Sequence, residues 1–185
     1  MSIPKNIPYT GCILISSPFL EDAYFSKTVI LLLAHNADGS FGVILNQKTN
    51  YEICFSKTEK SPHLPIWFGG PVQSDDSYVF IHKAAFVKDA QRIFNDWYHG
   101  GTEEQLMDLL PKKILNATNT RVFKGYSGWE SQQLQNEIKQ HHWIITPAED
   151  RYLSFHHHDL WQYIVDDIGG NLPLVAEAAE NIKLN

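Results

Sequence analysis

The sequence predicts an α+β fold built largely on antiparallel strands. Three observations carry that expectation. Residues Gly11 to Gln47 hold three apolar runs separated by polar turns; strand-like runs outnumber helical repeats; and neighbouring strands are often joined by turns. A repeating strand–helix–strand series, the mark of a parallel sheet, does not occur. With 185 residues and a hydrophobic fraction of 43%, the chain is long enough for one domain, residues 1–185, with its own core.

Taken in order, Ile3 to Thr10 holds two prolines and reads as an extended lead-in. Cys12 to Ile15 is the first strand, ended by Ser16-Ser17-Pro18 because proline lacks a ladder donor. Leu20 to Ser26 connects it, with a helical turn, to a second strand from Val29 to His35. The consecutive Leu31, Leu32 and Leu33 imply burial on both faces. Asp38-Gly39 supplies the hairpin turn into an antiparallel third strand, Phe41 to Asn46.

Asn50 to Phe55 is open between helix and strand, and Ser56 to His63 reads as a polar loop. Ile66 to Phe68, Tyr78 to His82 and Arg92 to Tyr98 read as further strands. Thr102 and Gln105 have capping-box spacing at the head of a helix to Leu110, with Leu106, Leu109 and Leu110 as its apolar face. Arg121 to Lys124 is a strand leading into Gly125-Tyr126-Ser127-Gly128-Trp129. Ser127 and Glu130 repeat the capping-box spacing, which predicts a second helix running to about Gln140. Trp143 to Thr146 is a strand stopped by Pro147. Tyr152 to Phe155 is a short strand or the entry to a last helix. Asp159 is placed to cap that helix, Leu160, Trp161, Ile164, Val165 and Ile168 form its stripe, and Gly169-Gly170 ends it.

Composition excludes several classes. Fifteen Lys and Arg face twenty-one Asp and Glu, a formal net charge of -6. That balance, with no basic helix and no helix-turn-helix spacing, argues against nucleic acid. The longest aliphatic run, Val29 to Ala34, is too short for a bilayer, and the start MSIPKNIPYTG has no apolar secretory core. The two cysteines, Cys12 and Cys54, lack C-x-x-C spacing, so neither a zinc ribbon nor a redox pair is expected. A reduced, cytoplasmic protein without membrane contact fits these features.

The order of landmarks resembles one family. Leu14-Ile15, Pro18, Asp22, Phe25, Val29-Ile30-Leu31-Leu32, His35, Gly39, Gly42 and Leu45-Asn46 resemble the opening of YqgE/AlgH proteins. Gly69-Gly70-Pro71-Val72 with Phe80-Ile81-His82, then Gly100-Gly101, resemble the next blocks. Gly125-Tyr126-Ser127-Gly128-Trp129, Gln133-Leu134, Glu137-Ile138 and Trp143 resemble the last, and Leu184-Asn185 resembles a chain end of longer members. The resemblance spans essentially the whole chain. It implies a bacterial cytosolic protein with a complex AlgH-like α+β fold, a branched or barrel-like sheet flanked by helices. It implies no reaction, only a transcriptional-regulator label lent by one member. Ala23, Ala34, Gln47-Lys48 and Thr102 depart from the family pattern.

Several groups invite a chemical reading. A strand, then Gly125-Tyr126-Ser127-Gly128, then a helix is the layout of a nucleophile elbow, but Trp129 stands where the elbow needs a small residue. Gly69-Gly70-Pro71 and Gly100-Gly101-Thr102 follow strands and could expose N–H groups to an anion, although no Gly-Lys-Ser/Thr follows. Among the nine histidines, His141-His142 and His156-His157-His158 are consecutive and lack metal-ligand spacing, so no metal is assigned. His35 and His82 sit at or near strand ends. Trp67, Phe68, Tyr126, Trp129 and Trp143 lie close to glycine turns and would form core or a pocket.

These readings converge on an uncharacterised cytosolic protein that binds a small ligand or a protein partner. Its candidate binding residues are Asn46, Gly69, Gly70, Pro71, His82, Gly125, Tyr126, Gly128 and Trp129, expected in one cleft. No catalytic residue, metal ligand or cofactor is assigned. The alternatives are a hydrolase using Ser127 or a histidine, and a DNA-binding regulator.

Overall fold

The structure is a computed structural model describing residues 7–54, 63–72, 78–154 and 159–169. The start of the lead-in, most of the loop expected before His63, Phe155, the His156–His158 triplet, Gly170 and the tail beyond it lie outside those residues. The three opening runs become neighbouring strands β1 (Cys12–Ser16), β2 (Val29–Asn36) and β3 (Gly39–Ile44). All pair antiparallel, with Ile13 opposite Leu31 and Leu31 opposite Val43. The side chain of Asn36 closes the hairpin, its Oδ1 accepting from the Asp38 and Gly39 N–H groups at 2.8 and 3.2 Å.

The stretch left open over Asn50 to Phe55 forms a strand, β4 (Lys48–Cys54). There follow β5 (His63–Phe68), β6 (Tyr78–His82), β7 (Gln91–Phe94), β8 (Trp97–His99), β9 (Thr120–Lys124), β10 (Ser127–Glu130) and β11 (Trp143–Pro147). They make two open sheets rather than a closed barrel. One has five strands in the order β10-β3-β2-β1-β11, the other six in the order β4-β5-β9-β6-β8-β7. Among the described pairings only β5 with β9 is parallel.

Side-chain alternation divides the interior into three layers. Ile13, Ile15, Val29, Leu31, Leu33, Val43 and Leu45 face the second sheet and pack with Trp67, Ile81, Trp97 and Phe123. Their neighbours Cys12, Leu14, Ile30, Leu32 and Ile44 point the other way, onto helix α2 (Gln133–Lys139) through Leu134 and Ile138. The outer face of the six-stranded sheet, with Leu64, Phe80 and Val122, packs on helix α1 (Glu103–Leu109) through Leu106, and on Leu110 just beyond it. The consecutive leucines of β2 are buried on both faces because both faces are covered. Cys12 is fully buried, and burial pushes its thiol up to about 11. Helices α3 (Asp150–Ser154) and α4 (Leu160–Ile168) close the central layer with Tyr152, Leu153, Leu160, Trp161 and Ile164. No helix among the described residues is long and apolar enough to cross a membrane.

Three local expectations are corrected and one open reading is decided. The helix expected to start at Ser127 does not; Ser127–Glu130 is strand, and α2 starts at Gln133 after Gln132 turns at φ 63. Burial alternates over those four residues, the period of a strand paired to β3. Arg92 to Tyr98 is a hairpin of two strands, broken where Asn95 takes φ 43. The stretch from Tyr152, left open between strand and helix, is helix to Ser154. Asp159 occupies the cap position of α4 without a side-chain cap bond. The Thr102 capping box forms as expected: Thr102 Oγ1 accepts from the Gln105 N–H, and Gln105 Oε1 from the Thr102 N–H.

One carboxylate ties α2 to its sheet. Glu137 Oε2 accepts from both Trp129 Nε1 and Trp143 Nε1 at 2.8 Å, and Oε1 from Gln133 Nε2 at 2.8 Å. The two indoles meet edge to face, 5.9 Å between centroids. Glu137→Ala is expected to lower stability by roughly 2–4 kcal/mol, since two indole donors in a buried layer lose their acceptor. Glu137→Gln keeps an oxygen there and should cost about 1 kcal/mol. Urea unfolding of the two variants separates these values; equal losses would show that the acceptor is not what matters.

Candidate functional site: a cleft where the chain crosses between sheets

Two of the glycine blocks, Gly69-Gly70 and the one opening at Gly125, meet at one corner. β5 runs into Gly69, whose N–H donates to Lys124 O of β9 at 2.9 Å, while its own carbonyl accepts from the Ile44 N–H of β3 at 3.0 Å. Gly69 therefore leaves the six-stranded sheet and touches the five-stranded one. β9 makes the same passage beside it: Gly125, at φ 73, turns the chain from Lys124 into Tyr126 and β10. The two crossing segments pass too closely for side chains. A Cβ on Gly69 would lie 2.1 Å from Gly125 O, and one on Gly70 2.4 Å from the Tyr126 carbonyl carbon. Just beyond, Val72 and Tyr126 exchange backbone hydrogen bonds of 3.0 and 2.9 Å.

Beside this corner the space between the sheets opens into a cleft of about 870 Å³. Gly128 pairs with Phe41, and Glu130 with Gly39, so two glycines fall on one face of the β10–β3 ribbon. Their missing side chains leave a hollow. Phe41 and Tyr126 line it edge to face, 6.0 Å apart, with Val79 of β6 and the exposed Val72 completing the apolar lining. Polar groups come from Asn36, Ser40 and Gln133, and charge from Asp38 and Glu130; among the described residues no Lys or Arg lines the cleft. Ser40 is held by His35, whose Nδ1 lies 2.7 Å from its Oγ.

Of the candidate residues, Tyr126, Gly128 and Trp129 line the cleft. Gly69, Gly70 and Gly125 form the corner behind it, and Pro71 lies exposed beside Val72. Asn46 and His82 lie elsewhere. Asn46 is buried, its Oδ1 accepting from the Val29 N–H at 3.0 Å and its Nδ2 donating to Lys27 O at 2.9 Å, so it locks the entry to β2. His82 is fully buried. Its Nδ1 accepts from the Ala84 N–H, which puts the proton on Nε2, 3.2 Å from Gly100 O. Trp67 and Trp143 are core. Ser127 is fully buried in a strand and donates to Gly69 O at 3.2 Å, so neither the cap nor the strand–turn–helix elbow is formed. The Gly69, Gly100 and Thr102 N–H groups all donate within the chain, which takes them from an anion. No three His, Cys, Asp or Glu side chains among the described residues converge as metal ligands.

Burial of histidine rings is expected to make the fold acid-sensitive. Burial holds His82, His99 and His35 below the ordinary histidine value; for His99 the nearby His82 adds to this. The folded state thus favours the neutral rings. Above the unfolded value, about 6.5, both states are neutral and the full stability is present. As pH falls through it, the unfolded chain takes up protons first and stability drops. The urea midpoint is expected to fall between about pH 7 and pH 5, before most carboxylates titrate; a midpoint flat over that range would contradict the account.

Three features escaped the sequence reading. Glu137 joins both tryptophans, although the sequence showed it only as a landmark between them. His99 sits behind Phe41, 5.6 Å between ring centroids, and its buried Nε2 has no hydrogen-bond partner among the described residues. Arg121 is 4% exposed in the central layer. The signal for Arg121 was its parity with Phe123 in β9, which puts both on the inward face.

Comparison with known proteins places these observations in a family. The AlgH-like family model matches residues 13–173. A UPF0301 protein of Cytophaga hutchinsonii is 35% identical over 179 residues, covering 95% of this chain and 98% of that protein. A UPF0301 protein of Parabacteroides distasonis is 36% identical, covering 89% and 85%. The solution structure of the AlgH protein from Pseudomonas aeruginosa superposes with a TM-score of 0.71 at 23% identity, covering 95% of this chain and 96% of that one. A crystal structure of a Corynebacterium diphtheriae protein gives 0.71 at 22%, covering 94% of each chain. The family model spans the crossing corner, the cleft and the tryptophan clamp alike, and the chain belongs to the AlgH-like family.

Proposed function

We propose that this chain is a binding protein rather than an enzyme, and that it takes a small ligand or a segment of a partner protein into the cleft beside β10. The observation that carries the reading is the convergence of Tyr126, Gly128 and Trp129 with the β2–β3 hairpin around one cavity of about 870 Å³. That size lies within the range of small-molecule sites, and aromatic walls with few polar groups suit such a role. The Ser127 version of the hydrolase alternative is disfavoured, because Ser127 is buried and bonded to Gly69 O. Any regulatory role would run through a bound molecule and not through DNA, given twenty-one acidic against fifteen basic residues.

Native mass spectrometry against a metabolite and nucleotide panel tests this reading. The expected result is a specific adduct that Tyr126→Ala weakens by about tenfold and Tyr51→Ala, at an exposed tyrosine of β4, leaves intact. An adduct indifferent to Tyr126→Ala would move the site away from the cleft.

A further inference from the structure

The cleft has a strand edge along one side, and that edge is incompletely used. Tyr126 exchanges both backbone bonds with Val72, on the side of β10 away from β3. Backbone groups of a strand alternate sides, so Ser127 and Trp129 face β3, while Gly128 and Glu130 face outward. β3 gives the same parity, since Ile44 uses its N–H on that edge for Gly69 O. The outward Glu130 N–H is taken by Gln133 Oε1 at 3.0 Å. Gly128 is exposed, and among the described residues nothing pairs with its outward N–H and C=O. The Val72–Tyr126 bridge is thus the first rung of a ladder that stops at the cleft.

Resting on the cleft-binding reading, we propose that the occupant is an extended peptide segment of a partner protein, rich in Lys or Arg, that adds as a strand to the outer edge of β10. Gly128 N–H and C=O and Glu130 C=O would continue the rungs begun by Val72 and Tyr126. Added strands take affinity from such main-chain bonds and specificity from alternate side chains. The side chains facing in would meet Phe41, Tyr126, Val72 and Val79. The charge balance selects basic residues: Asp38 and Glu130 are exposed on the lining, and among the described residues no Lys or Arg stands there to oppose a cation. Glycine at 128 leaves room on the cleft face, since a Cβ there would approach Tyr126 Cε2 to 3.3 Å.

The test uses the full chain, labelled with ¹⁵N, and two mixtures of short acetylated peptides. One carries Lys at alternate positions with varied apolar residues between; the other carries Glu in place of Lys. The Lys mixture should move the Gly128 amide resonance and slow its hydrogen exchange. Gly128→Pro removes the outward donor while leaving the β3 ladder, because proline is tolerated at an edge. It should weaken binding by about tenfold, and Gly128→Ala by much less. Asp38→Asn with Glu130→Gln should weaken it by about threefold and flatten the salt dependence. An unmoved Gly128 amide, equal binding of the Glu mixture, or unchanged binding by a folded Gly128→Pro would each overturn the proposal. Should Gly128→Pro not fold, wild-type Gly128 exchange decides alone: no slowing by the Lys mixture overturns it. Phenethylammonium separates the two readings. Its binding, lost in Tyr126→Ala, would keep the cleft reading even where the peptide strand fails.

Discussion

Replacing Arg121 with leucine is expected to lower stability by roughly 3–5 kcal/mol. The guanidinium lies between the sheets, donates to Leu45 O at 3.2 Å and to Leu153 O, and stacks 4.4 Å from the Trp67 ring centroid. It therefore joins the end of β3 to the end of α3 across the central core. Leucine leaves both carbonyls buried without that donor and gives up the stack on Trp67. Burial already lowers the Arg121 pKa to about 10, which marks how costly its charge is at this place. Arg121→Lys keeps a charge but not the planar fork, so it should lose about half as much stability. Chemical unfolding of the two variants checks this; a leucine variant within 1 kcal/mol, roughly, of wild type would show that packing alone suffices.

Gly70→Ala is expected to cost roughly 3–4 kcal/mol for a different reason. Gly70 has φ 147, where side chains are strained, and its added Cβ would lie 2.4–2.5 Å from the Tyr126 carbonyl carbon, the Ser127 nitrogen and Ser127 Oγ. Two of those atoms are backbone of the partner segment, so relief requires the two crossing chains to part. Parting them moves Tyr126, a wall of the cleft. The variant should lose ligand as well as stability, whereas Glu137→Ala, acting from the α2 side, should lose more stability than binding. Thermal unfolding and a binding titration on both variants compare these effects.

Much of the architecture was legible because it follows from periodicity. The unbroken run Val29 to Leu33 declared a strand buried on both faces, and Thr102 with Gln105 declared a helix start. The reading failed where one signal served two structures. Ser127 and Glu130 have capping-box spacing, but in the structure the same four residues alternate buried and exposed, and pairing to β3 decided between helix and strand. Asn95-Asp96 inside an apolar run was a turn signal that the flanking strand residues hid.

The candidate site was legible only as blocks. Gly69-Gly70 and Gly125 stood out as glycine pairs and turns, yet their reason is mutual: each makes room for the other's backbone. A single chain read in order does not show that encounter. Asn46 and His82 looked equally prominent and prove to hold backbone groups near β2 and Gly100. Asp38 and Glu130, which give the cleft its charge, were read as a turn residue and a cap partner, because exposed acidic residues are common and do not by themselves mark a site.

The central claim, that binding runs through the cleft beside β10, is tested most directly by amide-shift mapping of the ¹⁵N-labelled chain with any ligand that the panel or the peptide mixtures yield. The account predicts that the shifted amides cluster at Phe41, Tyr126, Gly128 and Glu130, with His82 and Asn46 unmoved. Shifts centred on His82 or Asn46, with the β10 amides still, would contradict it.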